Sequence, residues 1–202
     1  MAEKHKSTRT MKPFKLLVAV VVTATAMSFT AKDEVYKIDT GKSKLTWIGK
    51  KVTGQHSGGI NLAEGNLSVT SKKVTGGSFV IDMTSITDID KNERLVGHLK
   101  SDDFFSTEKN PNATFVITTI TGDKEQYTVK GNLTIKGITN EVQFAATIQK
   151  VGNEITAKAK ILVDRTKFDI KFRSGNFFEN LGDKAIEDNF ELNVELVANQ
   201  GV

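Results

Sequence analysis

Two adjacent carboxylates, Asp102 and Asp103, precede two phenylalanines in HLKSDDFFSTEKNPNATF, His98 to Phe115. Paired carboxylates can run acid–base hydrolysis, but working pairs come from separated positions that face each other across a substrate. Neighbours on an extended chain point to opposite sides. The spacing therefore favours a structural use, in which the two acids end a short helix and stay in water. Other catalytic material is sparse. The chain has no cysteine, which removes thiol nucleophiles, disulfides, zinc–thiolate sites and iron–sulfur clusters together. Ser174 stands in RSGN, not in a GxSxG elbow. His5 lies near the start, which leaves His56 and His98, far apart and without HxH or HExxH spacing. No phosphate loop or dinucleotide fingerprint follows a strand. The expectation is a protein that is not an enzyme and carries no metal or cofactor. A hydrolase or isomerase using His56 or His98 as base is the weakest reading.

Aromatic and basic residues interleave in DRTKFDIKFRSGNFF: Arg165, Lys167, Lys171 and Arg173 against Phe168, Phe172, Phe177 and Phe178. That mixture can bind single-stranded nucleic acid. It also suits an amphiphile, with rings for a hydrocarbon chain and a cation for an anionic head. Charge distinguishes the two. The chain has 28 basic and 24 acidic residues, but residues 1–26 hold five of the bases and only one acid. The remainder is balanced, so no basic footprint for nucleic acid is left and none is expected as partner.

The same first residues read as a targeting segment. Lys4, Lys6, Arg9, Lys12 and Lys15 give a basic front, Phe14 and Leu16–Val22 an apolar run, and VTATA the small residues of a cleavage region. Met11 opens a complete signal of its own. The apolar run is too short to span a membrane. The expected organisation is a signal peptide over 1–26, a short N-terminal extension over 27–34 and one domain over 35–200, in a periplasmic or secreted protein.

The elements that position the candidate residues have period two. In FELNVELV, Phe190, Leu192, Val194 and Leu196 share one face against Glu191, Asn193 and Glu195. ITAKAKILV and VQFAATI repeat the alternation. These are antiparallel strands with one wet face. Further strands are predicted at 35–40, 44–53, 59–70, 74–83, 113–121 and 126–136, with turn signals at Thr40-Gly41, Gly76-Gly77, Gly122-Asp123, Gly137 and Gly152-Asn153. Gly76-Gly77 reads equally as a bulge. A short helix is predicted over 92–101, capped by Asn92, and a long loop with one helical turn over 172–189.

About eight such strands predict an all-β fold, an extended eight-stranded antiparallel β-barrel with a short helix and a long loop near its ends. The wet faces carry Lys and Glu, and aromatic girdles are missing, so the apolar faces point inward and no stable membrane insertion is expected. Such an interior is either just filled or holds one small ligand. Gly131, Ala146, Ala157, Ala159 and Thr119 among Phe and Ile fit a tapering tunnel. A fully packed core is the alternative.

The chain from about Val35 to Ala198 resembles the YceI-like family of bacterial exported lipid-binding proteins. The resemblance is carried by YKIDTGKSKLTWIGKK, GGSFVIDMTSI, GHLKSDDFFSTEKNPNATFVIT, YTVKGNLTIKGITNEVQF and DRTKFDIKFRSGNFFENLGDKAIEDNFELNVEL, in that order. It implies a lipocalin-like barrel whose central tunnel holds a long isoprenoid amphiphile of the polyprenyl phosphate or quinone class, without catalysis. The Gly- and Asn-rich stretch 171–186 departs from the pattern and would reshape one mouth.

The expected function is then binding of a long-chain isoprenoid or other amphiphilic lipid for transport, storage or buffering, by a monomer or homodimer. The expected lining is Trp47, Phe79, Ile81, Phe115, Ile117, Leu133, Phe144, Ile161, Phe168, Phe172 and Phe190. His56, Arg165 and Lys171 are the expected head-group contacts. The alternative is a packed-core barrel whose loops bind a protein or polysaccharide.

Overall fold

Period-two sequence becomes nine antiparallel strands that close on themselves. The computed structural model describes Met1 and residues 33–201 of a chain that divides into two units, Met1–Thr30 and Ala31–Val202. The expected signal segment, Met11 and most of the N-terminal extension lie outside the described residues. The strands are β1 (Glu34–Ile38), β2 (Lys44–Lys51), β3 (Gly54–Thr70), β4 (Lys73–Asp82), β5 (Asn112–Asp123), β6 (Gln126–Ile135), β7 (Ile138–Val151), β8 (Glu154–Asp164) and β9 (Ile186–Gln200).

Nine strands make eight staves. Each strand from β2 to β9 pairs with the next, and β9 pairs back to β2. β1 lies end to end with β2 in one stave: it fills the gap between the far halves of β3 and β9, with Tyr36 opposite both Leu67 and Gln200. Closure leaves no free sheet edge around most of the wall.

Besides an irregularity between Gly49 and Lys51 where β2 meets β9, three bulges shift the alternation. Register slips at Ala63 in β3, so the buried set moves from Ile60 and Leu62 to Leu67 and Val69. A second slip falls at Thr75, which makes Gly76-Gly77 the flank of a bulge and puts the hairpin turn at Ser71-Lys72, both at positive φ. A third falls at Thr118 in β5 and turns the chain over, so Ile120 packs on the core and Thr119 is exposed. Thr119 therefore does not share the inner face, against expectation: one inserted residue reverses every side chain beyond it. The expected turn at Gly122-Asp123 also sits inside a strand, and the chain turns at Lys124-Glu125. β3 starts at Gly54 rather than at 59, because pairing with β2 draws GQHSG into the sheet despite its weak strand propensity.

One end of the barrel is closed by two long connections. After β4 come a 3-10 turn (Met83–Ser85) and helix α1 (Glu93–Lys100), where the Asn92 side chain accepts from the Leu95 amide at 3.1 Å. Between them, Thr87–Ile89 takes up the edge of β3 that β4 leaves open, with Thr87 N–H donating to the Gly59 carbonyl and Ile89 N–H to that of Ser57. Gly58 is required there, because a Cβ would stand 1.7 Å from the Thr87 oxygen. The second connection, from β8 to β9, holds 3-10 turns at Arg165–Phe168 and Gly182–Lys184. No helix among the described residues is long and apolar enough to cross a membrane.

Candidate functional site

The barrel interior is hollow in two adjoining places. The upper chamber lies toward the hairpins joining β3–β4, β5–β6 and β7–β8. Leu62, Leu67, Phe79, Phe115, Ile117, Phe144, Ile161, Val194 and Leu196 line it, with Ala146, Ala157 and Ala159 as the small positions. The lower chamber lies under the two connections. Its lining includes Trp47, Ile60, Met83, Ile86, Leu99, Phe104, Phe105, Ile170 and Phe190. Ile81, Leu133, Val163 and Leu192 border both chambers and so form the neck between them.

Aromatic packing shapes the upper chamber. Phe115 lies 6.2 Å from Phe79 and 5.7 Å from Phe144, centroid to centroid. Its ring rests over Gly131, where a Cβ would come within 2.4 Å of it. Gly131 thus seats Phe115 and leaves no void of its own.

Pairing between β7 and β8 runs only from Val151↔Glu154 to Ala146↔Ala159. Below that point the strands part, and the next tie is Asn140 Nδ2 donating to the Lys167 carbonyl at 2.9 Å. Val142, Phe144 and Ile161 stand half-buried beside this seam. The seam is one of two unpaired stretches in the wall; the other lies between β4 and β5, which pair only from Asp82↔Asn112 to Ser78↔Val116.

Buried polar groups hold the lower end. The Trp47 indole N–H donates to the Thr87 carbonyl at 3.0 Å. Arg165 is 4% exposed. Its Nη1 donates to the Ile170 carbonyl at 2.7 Å, its Nε to Glu187 and its Nη2 to Ile186, both at 3.0 Å. Asp188 faces Nη2 at 3.4 Å. Burial holds the guanidinium below its ordinary pKa, while Asp188 and Asp164 pull it back up. Arg165 borders the lower chamber but most of its donors already bind carbonyls, so it works first as a strut between the β8–β9 connection and β9.

Nine of the expected lining residues, Trp47, Phe79, Ile81, Phe115, Ile117, Leu133, Phe144, Ile161 and Phe190, do face the chambers. Phe168 is buried and Phe172 packs on His98 and Phe104 at 4.6 and 5.6 Å, but neither borders a chamber. Of the expected head-group residues only Arg165 does. Lys171 pairs with Asp169 at 2.8 Å and sits over the Phe177 ring, outside both chambers. His56 lies beside Asp88, also outside. Asp102 and Asp103 are exposed and separately engaged, Asp102 with Ser106 and Lys109, Asp103 with His98 at 3.4 Å.

The sequence matches the YceI-like domain over residues 36–198. The chain belongs to the YceI-like family. Among curated relatives, a UPF0312 protein of Yersinia enterocolitica is 30% identical over 181 residues, covering 86% of this chain and 93% of that one. A UPF0312 protein of Photorhabdus laumondii is 33% identical over 98 residues, and the chain spans 50% of its length. BcnA of Burkholderia cenocepacia has a similar structure, with a TM-score of 0.68 at 23% identity over 80% of this chain and 99% of that one. A polyisoprenoid binding domain from Saccharophagus degradans gives a TM-score of 0.62 at 14% identity over 82% and 98%. At these identities the structures show a shared fold.

The residues that sequence reasoning missed in this YceI-like barrel fall into two groups. Leu62 and Leu67 sit on either side of the Ala63 bulge, which hides their common inner face from a period-two reading. Ile86 and Ile170 sit on the connections, where no period exists to reveal which way a side chain points, and Met83 directly follows β4, where it continues the alternation of Phe79 and Ile81.

Proposed function

We propose that this YceI-like protein is a non-catalytic carrier that holds one long-chain isoprenoid or similar amphiphilic lipid, of the polyprenyl phosphate or quinone class, along its two chambers. The observation that carries the reading is the interior itself: two chambers lined mostly by hydrocarbon side chains, end to end, with Ile81, Leu133, Val163 and Leu192 bordering both. A structurally similar domain bears the description polyisoprenoid binding. The free energy is adequate. Burying hydrocarbon yields about 0.8 kcal/mol per CH₂, so a few isoprene units outweigh association costs and reach roughly micromolar affinity or better. The seam between β7 and β8 offers a chain-like guest a side route into the upper chamber. The leader at 1–26 would place the carrier in the periplasm or outside the cell, where transport, storage or buffering of such a lipid is useful.

Organic extraction of protein purified without detergent from its own exported fraction, followed by mass spectrometry, should recover one lipid per chain. Repeated recovery of empty protein that also takes up no polyprenyl or quinone lipid on incubation would count against the carrier.

A second reading has one observation in its favour. Phe177 and Phe178, on the β8–β9 connection, keep 50% and 49% of their surface exposed, as a loop that binds a protein or polysaccharide would. Deleting 175–181 should abolish partner capture and spare lipid content on that reading; loss of lipid with no loss of partner would refute it.

A further inference from the structure

We infer that His56, Asp88 and Asp90 form a binding site for a divalent first-row transition cation, of the zinc class, on the outside of the barrel beside the lower chamber. The inference stands independently of the lipid reading.

The site comes together because Thr87–Ile89 pairs with the edge of β3. His56 is on β3, opposite Gly49 of β2. Asp88 is held against it with its side chain fully buried, 0% exposed, while the His56 side chain keeps 34%. One Asp88 oxygen is committed: Oδ2 accepts from the amides of Asp90 and Asn92, both at 3.1 Å. Those two bonds, with Lys91 at φ 57°, make the turn that leads into α1. The other oxygen, Oδ1, faces His56 Nδ1 at 3.9 Å, and neither atom has a hydrogen-bond partner among the protein groups.

That distance selects between two uses of the pair. It is too long for a hydrogen bond. It lies close to the separation of two ligands of one ion: zinc sits about 2.0–2.2 Å from nitrogen and carboxylate oxygen, so tetrahedral ligand atoms stand roughly 3.4 Å apart, and a closing movement of about half an ångström would bring the pair onto one ion. Asp90 supplies the third ligand atom, and all three lie within 4.8 Å of one another. Asp90 is exposed and free to rotate inward. A buried carboxylate oxygen left unpaired is costly, and a cation would satisfy Asp88 and His56 together. One imidazole with two carboxylates is a borderline donor set, suited to zinc, manganese or cobalt more than to calcium, which takes six to eight oxygens. Three protein ligands leave a position for water.

The bound ion would tie the start of the α1 connection to β3. Ile86, two residues before Asp88, borders the lower chamber, as do Leu99 and Phe104 beyond the turn. The ion would therefore fasten the start of this connection over the lower chamber.

The test titrates zinc chloride, and separately cobalt chloride, into the untagged full chain by calorimetry. One tight equivalent is expected, together with a rise in Tm when the metal is added. His56→Gln and Asp90→Asn should each weaken it by at least about tenfold, while His98→Gln leaves it intact. Asp90 is exposed, so its variant keeps the test valid where Asp88→Asn fails to fold. No saturable uptake, uptake unchanged in both His56→Gln and Asp90→Asn, or loss of the equivalent in His98→Gln would overturn the inference.

Discussion

The two ends of the barrel hold similar hollows by different means. The upper chamber is walled by strands whose alternation alone aims side chains inward, from Phe144 and Ala146 on β7 to Val194 and Leu196 on β9. The lower chamber is closed by connections without a period, and specific polar contacts fix them: Trp47 to Thr87, Asn92 to Leu95, and Arg165 to three carbonyls. A strand wall tolerates change on its wet face because its register is set by many pairs. A lid held by a few buried hydrogen bonds depends on each of them.

Arg165→Met should break that contrast most severely. It strips donors from the carbonyls of Ile170, Ile186 and Glu187 and removes the cation facing Asp188. A loss of about 3 kcal/mol or more is expected in urea unfolding. Hydrogen exchange should rise first in 83–111 and 165–185, with the strands around the upper chamber retaining protection. Uniform loss of protection would mean that the two ends are not separable.

The opposite end has its own weak point. Gly131→Val would drive a side chain into the Phe115 ring, which already stands 2.4 Å from the site of a Cβ. Overpacking of this kind costs about 1–3 kcal/mol. It should also displace Phe115 into the upper chamber and reduce the lipid recovered per chain. Full lipid content in a destabilised Gly131→Val protein would show that the upper chamber does not hold the guest.

Trp47→Phe sharpens the comparison more gently. It keeps the ring in the lower chamber but removes the donor to Thr87, for about 1 kcal/mol in chemical denaturation. No measurable change would show that this contact does not hold the lid.

The fold was largely legible and the site only by halves, for the same physical reason. Phe190, Leu192, Val194 and Leu196 announce their face because a strand repeats every two residues, and nine lining residues follow from that rule. The rule fails at Thr119 and Leu67, where a single inserted residue reverses the faces. It has nothing to say about Phe168 and Phe172, whose aromatic type gave the expectation but whose connection turns them into the lid instead. His56 and Asp88 were not legible as a pair, because strand-edge pairing by Thr87–Ile89 is what brings them together.

The smallest effects are expected from two ion pairs, one on the connection that follows α1 and one on the outer face of β9. Lys109 and Ser106 hold the Asp102 carboxyl below its ordinary value, and Lys160 with Asn193 does the same for Glu191 on β9. A depressed carboxylate contributes stability above its ordinary value and loses it as pH falls through the lowered one. Asp102→Asn and Glu191→Gln should therefore lower Tm slightly at pH 7, and the difference from the parent should vanish in strong acid. A difference that grows on acidification would contradict these assignments.

The carrier account turns on one continuous guest crossing the neck formed by Ile81, Leu133, Val163 and Leu192. A crystal structure of protein purified without detergent from its native source tests it directly. The account predicts one unbroken, elongated ligand density running from Leu99 and Phe104 past Leu133 to Ala157 and Leu196. Side chains closing the neck, with no chain-shaped density on either side, would contradict it.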